Sequence, residues 1–96
     1  MRRLFHPDAR EEFREAARYY KEISPRLGRR FSDAVSATLQ RIALNPAMFR
    51  IVERDVRKCR VLRFPYGVLY QIKRDHLWIL AVMHLRRHPD YWKSRR

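Results

Sequence analysis

This 96-residue chain is poor in cysteine, glycine, acidic residues and long apolar runs. Its lone cysteine, Cys59, cannot form an internal disulfide, which excludes a disulfide-stapled secreted domain and fits a reducing cytoplasm. With two glycines and five prolines there is no low-complexity linker, and no internal repeat is evident. No stretch is long and apolar enough to span a bilayer, so no membrane partner is expected. Met1-Arg2-Arg3 is basic, but charged and polar residues follow at once, so a signal-peptide core is not expected there.

The shortage of acid is the most informative absence. Ten Asp and Glu face 23 Lys and Arg, a net charge of +13. Residues 1–48 carry 10 basic and 6 acidic side chains (net +4), and residues 49–96 carry 13 and 4 (net +9). The excess exceeds the charge of roughly 2–8 that solubility requires, and its asymmetry predicts an acidic or polyanionic partner for the C-terminal half. Against this charge, 46% of the residues are hydrophobic and 12% aromatic, enough for a packed core, so one folded domain spanning 1–96 is expected rather than disorder.

Arg2 to Phe5 is a candidate strand. Asp8 is a candidate N-cap, completed by Glu11 as a capping box. Ala9, Phe13, Ala16, Ala17 and Tyr20 then recur at helical spacing, with Arg10, Glu11, Glu12, Arg14, Glu15 and Arg18 assigned to the solvent side. Ser24-Pro25 opens a second helix, its stripe made by Leu27, Phe31, Ala34, Val35, Leu39 and Ile42, and Asn45-Pro46 ends it. Strands follow around Phe49 to Val52, Arg57 to Phe64 and Tyr66 to Ile72. After the polar turn Lys73-Arg74-Asp75-His76, Leu77 to Met83 is apolar on both faces and so belongs inside the sheet. The order predicts an α+β fold: an N-terminal strand, a helical hairpin, then a three- to four-stranded, mainly antiparallel sheet packed on that hairpin.

Several residues in this order carry a resemblance: Asp8-Ala9-Arg10-Glu11-Glu12-Phe13, Tyr19-Tyr20, Arg63-Phe64-Pro65-Tyr66, Leu69-Tyr70, and the apolar strand ending in His84-Leu85-Arg86-Arg87-His88-Pro89. Together they resemble the ParE/RelE superfamily of toxins from type II toxin–antitoxin systems, over nearly the whole chain and closer to ParE. The resemblance implies a small cytoplasmic toxin made beside a cognate antitoxin, ParD-like or other, encoded by an adjacent gene. ParE-like members poison DNA gyrase; RelE-like members cut messenger RNA on the ribosome. RelE-like ribonucleases tend to carry Arg just after the aromatic that opens the middle strand, and here that position is Gly67.

Two chemistries follow. A gyrase-binding toxin would present a contact surface, for which Arg60, Arg63, His84, Arg86, Arg87, Tyr91 and Trp92 are the candidates. Metal-free RNA cleavage would need cations on the phosphate, Arg63 and Arg87, and proton carriers, His84, His88 or Tyr91. A third reading, from charge alone, is a non-toxic basic nucleic-acid-binding protein. No cofactor or metal is expected; His84 and His88 have no evident third ligand. The blander readings are that Tyr19, Tyr20 and Phe31 are core, that Tyr66 and Tyr70 are sheet packing, that Cys59 is a small buried apolar residue, that His84 bonds a neighbour, and that Arg57, Lys58, Arg60 and Arg63 form a solvated edge.

Overall fold

A computed structural model describes residues 1–96. Strand β1 (Arg2–Phe5) leads into helices α1 (Pro7–Ile23) and α2 (Pro25–Leu44), then strands β2 (Arg50–Glu53), β3 (Val56–Arg60), β4 (Tyr66–Ile72) and β5 (His76–His84), and a terminal 3-10 turn over Lys93–Arg95. The strands form one sheet in the order β1-β5-β4-β3-β2. All neighbouring pairs are antiparallel except β1 with β5, which run parallel. The α+β expectation holds, with one more strand than expected because β1 joins the sheet itself.

The start of α1 differs from the sequence reading. His6, not Asp8, is the N-cap, and its Nδ1 accepts the Asp8 N–H at 3.0 Å. Pro7 is the cause: it has no N–H to satisfy and its φ suits the first helical position, which moves the cap two residues back. Asp8 instead places its charge in the first turn, where the helix dipole favours it. The hairpin joint follows the sequence. Ser24 N–H donates to the Tyr20 carbonyl, ending α1, and Ser24 Oγ accepts from Leu27 N–H at 3.0 Å, starting α2. The helices meet closely at Gly28, where a Cβ would lie 2.9 Å from the Lys21 Cα.

The hairpin covers one sheet face. Ala9, Ala16, Phe31, Val35 and Ile42 pack there on Cys59, Val61, Val68, Tyr70, Leu77 and Ile79. A bulge in β5 between Ile79 and Ala81 breaks the alternation, so Leu80, Ala81 and Met83 join a second, smaller cluster with Val56, Leu69 and Trp92. The tail residue Trp92 therefore closes the face away from the helices. Strand β3 ends at Arg60, short of the expected Phe64. Arg63 adopts a left-handed φ of 72°, and Val61 N–H reaches the Tyr66 carbonyl at 2.9 Å, so the chain turns before Pro65.

The outer edge of β5 is satisfied in two ways. β1 pairs with it from His76 to Ile79, and His6 N–H donates to the Ile79 carbonyl. Beyond that point Glu12, assigned to solvent from its sequence position, turns inward. Its Oε1 accepts the Val82 N–H at 3.0 Å. Arg95 clasps the same carboxylate with contacts of 2.9 and 3.1 Å and donates to the Leu80 carbonyl at 3.1 Å. Both side chains are largely buried, 13% and 11% exposed. A buried edge donor and acceptor are thus matched by an ion pair that spans 83 residues of chain.

Glu12→Ala would leave the Val82 N–H without a partner and the Arg95 cation with only the Leu80 carbonyl and a loose contact to Asp8 at 3.8 Å, in a nearly dry place. It is expected to lower unfolding stability by about 3 kcal/mol in urea titration. Gly28→Ala, which forces the helices apart against backbone, is expected to cost about 1–2 kcal/mol in the same measurement.

Candidate target-binding surface

The candidate cations meet at one end of the sheet, where β4 begins and β5 ends. Tyr66 is register partner of His84, and Gly67 of Arg60. Leu85 N–H donates to the Pro65 carbonyl at 2.9 Å, tying the segment after β5 to the β3–β4 turn that holds Arg63. Arg60, Arg63, Arg86 and Arg87 are exposed and His84 is half-buried. They do not form one cluster. Arg63 lines a groove against α2 with Leu27, Arg30 and Phe64. Arg86 lines a cleft with Tyr19, Tyr20, Pro65, Tyr66 and His84. Arg87 lies in the adjoining cleft with Glu12 and Glu15.

The charge of this end is left unopposed because the acids of the C-terminal half are engaged elsewhere. Glu53 pairs with Lys93 at 2.6 Å and Arg96 at 3.7 Å. Asp55 pairs with Arg96 at 3.1 Å and accepts from Gln71 at 3.0 Å; the Gln71 bond, with Arg96 beside it, holds the Asp55 carboxyl below its usual range. Asp90 meets Lys93 at 3.1 Å, and Asp75 meets His76 at 2.7 Å. No carboxylate comes within ion-pair distance of Arg60, Arg63 or Arg86. Arg87 has only a loose contact with Glu12, 3.8 Å, and its side chain is 53% exposed.

Two expected surface residues lie inside instead. Trp92 is 3% exposed, wedged among Val56, Leu69, Leu80, Ala81 and Met83. The bulge in β5 turns Leu80 and Ala81 to that face, and an apolar face of that size needs a cover. Tyr91 is partly buried between two guanidinium groups, the Arg87 Cζ 3.9 Å and the Arg95 Cζ 4.9 Å from its ring centre. Burial, with the Glu12 carboxylate beside it, holds its phenol far above the usual range.

These positions bear on RNA cleavage. Arg63 and Arg87 occupy different grooves, and Tyr91 is a poor proton carrier where it sits. His84 and His88 each use Nδ1 to accept a backbone N–H, from Arg86 at 3.0 Å and Asp90 at 3.2 Å. Gly67 faces away from the helices under Lys58, whose Cε would lie 2.9 Å from a Cβ at that position. The Lys58 stem thus covers the Gly67 site, and burial, with Arg50 and Arg60 close by, lowers its ammonium pKa.

Sequence reasoning missed Tyr19. Expected in the core, it is 60% exposed, whereas Tyr20 packs on Phe31 and Phe64 with ring centres 5.0 Å from each. The signal was present: adjacent residues on a helix diverge by about 100°, so Tyr19 and Tyr20 cannot both follow one stripe. Cys59 is buried as expected, and burial raises its thiol pKa.

Trp92→Ala is expected to cost about 3–5 kcal/mol of stability, whereas Arg86→Ala stays within about 0.5 kcal/mol, both by urea unfolding. The contrast separates the residue that covers the sheet from the residue free to meet a partner.

No curated protein matches the chain significantly. The family described as the ParE toxin of type II toxin–antitoxin system, parDE, matches residues 4–89, a span that takes in both helices, all of β2 to β5 and the basic end. With the strand–hairpin–sheet order above, this match places the chain in the ParE toxin family of type II toxin–antitoxin systems.

Proposed function

We propose that this toxin acts as a single domain by binding, with DNA gyrase as its target, and that Arg60, Arg63, His84, Arg86 and Arg87 make the contact. The carrying observation is the group of exposed arginines at one sheet end, three of them without an acid partner. Such a surface attracts a polyanionic complex over a distance and orients the encounter. DNA held open by gyrase is a target of that charge. The cognate antitoxin, ParD-like or other and encoded by an adjacent gene, would have to offset part of the same +13 charge.

The ribosome-dependent ribonuclease reading, with mRNA as substrate, has less support. It needs Arg63 and Arg87 on one phosphate and His84 or Tyr91 to carry protons, and those groups are dispersed or buried. The non-toxic nucleic-acid-binding reading accounts for the charge but not for the family match.

Purified gyrase, supercoiled plasmid, ATP and the toxin, quenched with detergent and protease, should yield linear plasmid. The Arg86→Ala/Arg87→Ala double variant, folded by circular dichroism, should need at least about tenfold more protein for the same yield. No linear product from a folded toxin that stops growth would overturn the gyrase assignment. New transcript ends biased to reading frame would replace it with ribosome-dependent cleavage.

A further inference from the structure

The cleft that holds Arg86 has a composition that charge steering alone does not require. It encloses about 480 Å³ and is lined by Tyr19, Tyr20, Pro65, Tyr66, His84 and Arg86. That volume falls within the range of small-ligand sites. Its aromatic rings meet edge to face in a chain. Tyr19 and Tyr20 are 5.1 Å apart at 74°, Tyr20 and Tyr66 are 6.4 Å apart at 68°, and Tyr66 and His84 are 5.0 Å apart at 77°. Tyr20 and Tyr66 are fixed by the core; Phe31 lies within 5.1 Å of both. Tyr19 lines the same cleft and is 60% exposed, which leaves it surface for contact with a further ring.

The polar groups of the cleft suit an anion. Arg86 is exposed and has no carboxylate partner. His84 Nδ1 accepts the Arg86 N–H, so the neutral ring carries its proton on Nε2 as a donor. The nearest acids lie in the adjoining cleft: Glu12, matched by Arg95 and Arg87, and the exposed Glu15. An aromatic wall beside an unopposed guanidinium is the arrangement that takes one unstacked base with its phosphate.

We infer that this cleft is a nucleotide-binding site: a base of single-stranded DNA stacks on Tyr19 and the adjoining phosphate meets Arg86. The toxin would then touch nucleic acid directly rather than only a protein surface. The inference builds on the reading of the basic end as target-facing, but not on the identity of the target, and its test contains no gyrase.

Fluorescence anisotropy of a labelled 12-nucleotide oligothymidylate, against a chain of equal length and charge that lacks bases, reads the two parts separately. The wild-type protein is expected to bind the base-bearing strand about tenfold more tightly. Tyr19→Ala should remove that preference and keep the abasic affinity, Tyr19→Trp should retain the preference, and Arg86→Ala should weaken both ligands. Since Tyr19 and Arg86 are exposed, these variants should fold, and circular dichroism checks this. Equal binding of both strands by the wild type, an undiminished preference in Tyr19→Ala, or tight binding to duplex alone would overturn the site. Base-dependent binding without plasmid linearisation would keep the site and remove gyrase; linearisation without base preference would do the reverse.

Discussion

The basic end of this toxin is framed by the way the outer edge of β5 is closed. β1 is only four residues long and runs out at Ile79, leaving the last turns of β5 with a donor and an acceptor that face neither water nor strand. Glu12 takes the Val82 N–H and Arg95 takes the Leu80 carbonyl, and the two side chains bind each other. A single charge in that position would be costly; the pair is tolerable because each ion is matched by the other and by backbone. The contact joins the first helix, the fourth strand after it and the chain's last turn.

The tail is thereby fixed, and its fixed position has two consequences. Trp92 is held against Leu80, Ala81 and Met83, so the sheet acquires a second small core on the face the helices do not reach. Lys93 and Arg96 are held against Glu53, Asp55 and Asp90, which uses up three of the four acids of the C-terminal half. Arg60 at the end of β3, Arg63 in the β3–β4 turn and Arg86 after β5 then face solvent without local neutralisation. Stability and the exposed positive surface are in this way products of one arrangement.

Much of the fold was legible from periodicity and punctuation. The stripes of α1 and α2, the Ser24-Pro25 joint and the apolar β5 all obey local rules that tertiary contacts reinforce. What was not legible depended on long-range partners. Glu12 looks like a solvent residue until Arg95, 83 positions later, is placed beside it. Trp92 looks like a surface aromatic because a bulge at Leu80 cannot be read from an unbroken apolar run. The turn at Arg63 was hidden because a left-handed arginine leaves no mark in composition. At the candidate surface the sequence named the arginines and His84, while it misplaced Tyr19 by treating two adjacent tyrosines as one feature.

The Glu12–Arg95 pair holds the edge of β5. Hydrogen exchange at the Val82 amide, followed by NMR in the wild type and in Arg95→Ala, tests it most directly. Val82 is expected to exchange as slowly in the wild type as amides of the β4–β5 ladder. In Arg95→Ala it should speed up by at least about tenfold more than those amides do. A Val82 amide already fast in the wild type, or one whose protection is untouched by loss of Arg95, would contradict the claim.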